Sequence, residues 1–323
     1  MTANINTEPL INGLHHVTAV CGDPQANVAF YSGVLGLRLV KKTVNFDDPG
    51  TYHLYYGDGV GSPGTIMTFF PWVGTPPGRD GTGQVAAVSF AVSETSLPWW
   101  EARLKEHKVE VRGPMKRFDE SYVQFADPDG LPLEIVTTPR APVYKTWDKS
   151  PVPPEYALQG FRSVTLAEAG YELTHALLTA QMGFVALRDE SARFRYQAPG
   201  KSASSYIDVL CQPGARHGLP GNGTVHHIAF SISDDSAQGF WQEKLRHLGY
   251  NVSPIMDRTY FHSIYYREPG GILFELATDN PGFAVDEPVE SLGTALKLPR
   301  QFEAHREQIE SSLPPLLPAA PTT

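Results

Sequence analysis

Apolar and polar positions run through the same order of patterns four times along the chain. Each copy opens with a short, alternating, β-branched-rich stretch, at residues 14–20, 85–92, 161–166 and 225–232, which predicts a strand. A helical pattern follows each strand. In the first copy Asp23 and Pro24 supply a cap and a first helical residue. Val28, Tyr31, Val34 and Leu35 then recur at helical spacing, and Gly36 ends the run. In the fourth, Phe240, Trp241, Leu245 and Leu248 repeat the theme before Gly249; the second and third place helices over residues 97–107 and 171–182. Three strand-like stretches then close each copy. The last follows a tight turn that is nearly the same in the second and fourth: Asp127-Pro128-Asp129-Gly130 leads to Glu134, and Glu268-Pro269-Gly270-Gly271 leads to Glu275.

A βαβββ unit cannot cover its own sheet, so the predicted fold is α+β, with four units pairing into two half-closed barrels. The chain divides into an N-terminal pair of units over residues 11–137, a linker over 138–154 rich in proline, a C-terminal pair over 155–290 and an extension over 291–323. The extension carries a polar amphipathic stretch over 300–309, then a proline-rich tail expected to be loosely ordered.

Length and composition fit this picture. A chain of 323 residues with 41% hydrophobic content can bury one large core or two ordinary ones, and 29 glycines and 28 prolines suit short elements joined by turns. The net charge of −9, without a basic stripe, argues against nucleic acid or an anionic membrane surface, so small molecules are the expected partners. Cys21 and Cys211 have no paired spacing, which excludes a disulfide scaffold and fits a reducing cytoplasm. The first residues lack the features of a secretory signal, and no apolar run is long enough to span a bilayer, so a soluble, cytoplasmic protein is expected.

The repeat allows positions to be compared within the chain. At the inward position of the first strand the four copies hold His16, Ala87, Ser163 and His227; at the matching position of the last strand they hold Thr68, Glu134, Asp208 and Glu275. If the first unit pairs with the fourth, one cleft collects His16, His227 and Glu275, with Thr68 as a non-ligand. Two imidazoles and a carboxylate form the facial triad of non-haem Fe(II) oxygenases, and Mn(II) accepts a similar set. The second cleft would then be a degenerate copy, with Glu134 hydrogen-bonded or paired with Arg162. A lone histidine in a strand is usually a hydrogen-bonded core residue, and His53, His107, His175, His217, His247 and His305 are read that way. Because side chains alternate along a strand, one member of each pair faces the cleft. His16 and His227 are assigned to it, leaving His15 and His226 at its margin, either supporting the ligands or packed at the surface.

The His-His-Val-Thr opening at residues 15–18, the Val-His-His-Ile-Ala-Phe strand at 225–230 and the Pro-Gly-Gly-Ile-Leu-Phe-Glu ending at 269–275 resemble the vicinal oxygen chelate superfamily. Within it, together with residues 52–56 and 61–71, they are similar to the para-hydroquinone 1,2-dioxygenases, over about residues 11–300. The resemblance implies metal ligands at His16, His227 and Glu275, and active-site roles at His15, His226, Arg258 and Tyr265. Residues 257–262 depart from that branch between the arginine and the tyrosine, which weakens the assignment of Arg258. The function implied is ring cleavage of a hydroquinone- or catechol-type aromatic with O2, in which Tyr265, His226 or His15 accepts a phenolic proton. Two other readings stand beside it. A glyoxalase-like isomerase or lyase would use a second carboxylate where Thr68 stands. A non-catalytic ligand-binding protein on this scaffold would have no use for the triad. Exposed barrel edges leave a homodimer open.

Overall fold

The computed structural model describes residues 8–139, 144–200 and 206–317. The first unit contains β1 (Gly13–Cys21), β2 (Arg38–Val44), β3 (Tyr52–Gly57) and β4 (Ile66–Pro71). The second contains β5 (Gln84–Ser93), β6 (Arg112–Arg117), β7 (Glu120–Ala126) and β8 (Pro132–Thr138). The third contains β9 (Phe161–Glu168), β10 (Val185–Glu190), β11 (Arg193–Gln197) and β12 (Tyr206–Cys211), and the fourth β13 (Val225–Ile232), β14 (Met256–Asp257), β15 (His262–Arg267) and β16 (Leu273–Thr278).

Helices follow the first strand of each unit. In the first, the Asp23 carboxylate accepts from the backbone N–H groups of Gln25 and Ala26, capping Pro24–Val28. The expected helix then widens into a π-helical turn over Ala29–Val34. The wider turn brings the consecutive side chains Phe30 and Tyr31 both onto the sheet, where they are buried. The third unit does the same, with Glu172–Ala176 continuing as a π turn over Leu177–Gln181. Leu97–Glu106 and Asp235–His247 are regular α-helices.

Each sheet has eight strands, and each takes one unit from either half of the chain. The orders are β14-β15-β16-β13-β1-β4-β3-β2 and β10-β11-β12-β9-β5-β8-β7-β6. The first unit pairs with the fourth through antiparallel β1 and β13, the second with the third through β5 and β9. Residues 11–137 and 155–290 are thus halves of the chain, and neither half closes a sheet on itself. One large apolar core spans both sheets, with Tyr31, Trp100, Phe90, Phe161 and Trp241 at its centre.

Strand alternation alone does not set the histidines. Register shifts fall between Leu14 and His16 on β1 and between Val225 and His227 on β13, so His15 and His226 are each the extra residue of a β-bulge. The amphipathic stretch expected over 300–309 is helical, and the start of the tail after it is packed on the first unit. Arg300–His305 forms a 3-10 turn, Arg306–Ser312 a short helix, and Leu313 is buried. Beyond it the Tyr52 hydroxyl donates to the Pro314 carbonyl, and the Leu317 N–H donates to Gln25. Residues 318–323 of the tail lie outside the described residues.

Candidate metal centre

Pairing the first unit with the fourth brings His16 on β1, His227 on β13 and Glu275 on β16 to one point. All three are buried. The two Nε2 atoms are 3.3 Å apart, and Glu275 Oε2 lies 3.2 Å from His16 Nε2 and 2.9 Å from His227 Nε2. Among the described residues this is the one group of three or more His, Cys, Asp and Glu side chains with that convergence. Despite its short distances Glu275 Oε2 receives no aligned hydrogen bond, while Oε1 is held by the Ser263 hydroxyl. Burial would raise the Glu275 pKa, but the two imidazoles outweigh it and hold the carboxyl well below its usual range.

These donors fit a divalent metal. Ligands about 2.1 Å from a metal and at right angles are about 3.0 Å from each other, so the triangle has the size of one octahedral face. The other ring nitrogens point away and are engaged: His16 Nδ1 lies 3.0 Å from His15 Nδ1, and His227 Nδ1 lies 2.8 Å from His226 Nδ1. A proton on each ligand Nδ1 satisfies that contact and leaves both Nε2 lone pairs free for a cation. Burial, with the adjoining His16, pushes His15 down to about 3, and the neighbouring His227 also lowers the more exposed His226, which keeps both neutral acceptors.

The triad faces a cavity of about 340 Å³ lined by His16, His53, Tyr55, Phe70, Trp72, His226, His227, Arg258, Phe261 and Tyr265, with residues 45–47 at its rim. A larger groove, about 970 Å³, lies between Phe30 and residues 107–112 and gathers no such ligand set. Of the residues expected at the site, His226, Arg258 and Tyr265 line the cavity. His15 does not; it sits behind His16, packed on Phe261 with ring centroids 5.1 Å apart. The bulge at His226 turns both members of that pair toward the cleft, correcting the expectation that one would face it. Arg258 Nε donates to the Tyr265 hydroxyl oxygen at 3.3 Å, and its guanidinium also reaches Asp47 Oδ2 at 3.2 Å. Burial pushes the Tyr265 hydroxyl well above its usual range, so it stays protonated.

The sequence reading missed His53 and Tyr55. His53 is hydrogen-bonded as expected, but it stands on the cavity wall, between the hydroxyls of Thr68 and Tyr55 at 2.8 Å each. The signal lay in the repeat: Tyr55 pairs across the ladder with Thr68 as Tyr265 does with Glu275.

The second cleft is filled with ion pairs. Arg117, not Arg162, grips Glu134 with two parallel bonds of 3.0 and 2.7 Å, and Ser89 donates to the same carboxylate. Arg162 is paired with Glu120, while Arg195 bridges Glu120 and Asp208. The acids at the ligand positions of this sheet are neutralised by arginines, which leaves no set for a metal.

The fold and this site match known proteins. The sequence profile of the Glyoxalase/Bleomycin resistance protein/Dioxygenase superfamily matches residues 13–135 and 153–276, and the chain belongs to that superfamily. A Bacillus subtilis protein named "Putative ring-cleaving dioxygenase MhqO" is 48% identical over 303 residues, covering 94% of this chain and 96% of that protein. The chlorohydroquinone/hydroquinone 1,2-dioxygenase of Sphingobium indicum is 35% identical over 305 residues, covering 93% and 95%. A crystal structure described as a "putative dioxygenase from Bacillus subtilis" superposes with a TM-score of 0.92 at 47% identity, covering 96% of this chain and 99% of that one. The chain groups with the ring-cleaving dioxygenases of the superfamily. No helix among the described residues is long and apolar enough to cross a membrane.

Proposed function

We propose that this chain is an Fe(II)-dependent dioxygenase that opens the ring of a hydroquinone- or catechol-type aromatic. The observation that carries this reading is a face of two imidazoles and one carboxylate, open toward an aromatic-walled cavity, with Thr68 in place of a fourth ligand. His16, His227 and Glu275 would hold the metal, which when bound supplies adjacent open positions and a path for electron density between ring and O2.

The chain's own residues do the rest. Phe70, Trp72 and Phe261 offer apolar faces to a planar ring and exclude water. Tyr265, with its oxygen occupied by Arg258 Nε, keeps its proton to donate to a substrate oxygen. His226 lines the cavity as a neutral imidazole; with its Nδ1 accepting from His227, its Nε2 carries the ring proton and is a donor to a substrate oxygen. His15, behind His16, supports that ligand instead of meeting substrate. A glyoxalase-like isomerase would need a carboxylate base at Thr68, whose hydroxyl is engaged by Thr18 and His53.

The test is oxygen uptake by Fe(II)-loaded protein offered hydroquinone, methylhydroquinone, catechol and the glutathione hemithioacetal of methylglyoxal, with His227→Ala as control. One O2 consumed per phenol, lost in the variant, is expected. Turnover of the hemithioacetal without any uptake on the phenols would overturn the proposal. Loading with Mn(II) in place of Fe(II) decides the metal.

A further inference from the structure

The first and fourth units are related by an internal two-fold, and the cavity lies between them. Tyr55 on β3 is opposite Thr68 on β4, and Tyr265 on β15 is opposite Glu275 on β16, so the two tyrosines occupy equivalent places on the two walls. Two residues before each stands the side chain that binds the last-strand residue. Ser263 donates to Glu275, and His53 Nε2 bonds to Thr68 Oγ1 at 2.8 Å. Where the fourth unit has serine and a ligand carboxylate, the first has histidine and threonine.

Proton directions along this wall follow from one buried hydroxyl. Among the described residues Thr18 Oγ1 reaches Thr68 Oγ1, at 2.9 Å, as its side-chain partner, so Thr18 donates there. Thr68 then donates to His53 Nε2, which places the ring proton on Nδ1, and Nδ1 donates to the Tyr55 oxygen at 2.8 Å. The Tyr55 proton is left free on the cavity wall. Tyr265 is in the same state, since its oxygen accepts from Arg258 Nε. Donors held in a series polarise one another, which makes each terminal O–H a stronger donor.

We propose that Tyr55 is a second substrate-binding donor, positioned by His53, and that Tyr55 and Tyr265 bind the substrate's ring oxygen in its ionised form from opposite walls. The assignment rests on the reading above that a hydroxylated aromatic ring occupies this cavity. It gives Thr68 and His53 a role beyond the loss of a ligand: they orient the free proton of Tyr55.

The test is anaerobic titration of the metal-loaded protein at pH 6 with 4-nitrophenol, whose ionised form absorbs in the visible. The unsubstituted protein is expected to bind it as the phenolate. Tyr55→Phe should weaken binding about tenfold and lower the visible band of the bound phenol, with metal content unchanged. His53→Ala should do the same, whereas His53→Asn, which keeps an N–H near the Nδ1 position, should retain most of the affinity. The double variant Tyr55→Phe/His53→Ala should be no weaker than Tyr55→Phe, because the two act as one unit. Unchanged affinity in Tyr55→Phe, additive losses, or loss of metal from Tyr55→Phe would each overturn the assignment, and Tyr55→Phe decides alone if His53→Ala does not fold. A metal-loaded protein that binds no phenol at all overturns the reading of the site, and this assignment with it.

Discussion

Glu275 is buried, carries its charge against that burial, and has one oxygen that receives no aligned hydrogen bond among the described residues. A cation at the centre of the triad is the partner that resolves this. Glu275→Ala is therefore expected to reduce bound metal to below about a tenth of the unsubstituted protein's by elemental analysis, since two imidazoles alone leave the face incomplete. Retention of full metal by that variant would remove Glu275 from the ligand set. A second buried acid behaves oppositely. Among the described residues neither oxygen of Glu168 receives an aligned hydrogen bond, and burial together with Glu268 raises its pKa to about 8. Its folded pKa lies above that of an unfolded glutamate, about 4.3, so the stability it lends is full below that pH and falls as pH rises toward 8. Glu168→Gln should flatten the melting temperature between pH 5 and 9 and raise it by about 5 °C at the alkaline end; an unchanged pH profile would count against this. At this scale the triad was legible because four copies of one pattern exposed which positions had changed chemistry. His53 was not, because a single histidine on an alternating strand looks the same whether its face meets a core or a cavity. The bulges at His15 and His226 were also invisible, since one extra residue leaves no mark in composition.

Strands and their order were the most readable elements, and what passes between them the least. Alternation marked the four opening strands and the acids Glu134 and Asp208 on the last ones, which pair with Ser89 and Thr165, two residues beyond the Ala87 and Ser163 positions matched to them, but the arginines that neutralise the acids come from neighbouring strands whose register no pattern announces. Arg117 on β6 reaches Glu134 on β8 across β7. The consequence is testable. Arg117→Ala leaves Glu134 without its bidentate partner in a buried site, and should cost about 3–5 kcal/mol in chemical unfolding. Metal content in the other sheet should not change, because the ligands there come from different strands. The segment between the fourth unit's last strand and the extension makes a similar contact: Lys41 on β2 is fully buried and paired with Asp286 and Glu287. A proline-rich composition suggested a loose tail, whereas the Lys297 N–H bond to the Lys42 carbonyl and the contacts of Pro314 with Tyr52 and of Leu317 with Gln25 tie the described part of the extension to the first unit.

The whole molecule is organised by an exchange between its halves. The repeat predicted two half-closed barrels, and the histidines made sense only if the first unit met the fourth; periodicity could not say so, because all four units are patterned to pair with any other. With β1 beside β13 and β5 beside β9, a chain cut in the linker leaves each fragment with two unpaired edges that were central in the intact sheets. The fragment 1–150 keeps His16 without Glu275, and the fragment 151–323 keeps His227 and Glu275 without His16. Mixed after separate purification, the fragments are expected to assemble one to one and regain metal binding and oxygen uptake. Alone, the C-terminal fragment can satisfy its β13 edge with a second copy of itself. Such a dimer would gather two copies of His227 and two of Glu275 about the same axis, a four-ligand set with no open face for both ring and O2. It should therefore bind a metal and consume no oxygen. Mass measurement with elemental analysis distinguishes the cases: a metal-binding C-terminal dimer that is inactive supports the internal two-fold as the device that shapes this site. Oxygen uptake by either fragment alone would show that the crossed pairing is dispensable, and with it the explanation of why the triad is drawn from both ends of the chain.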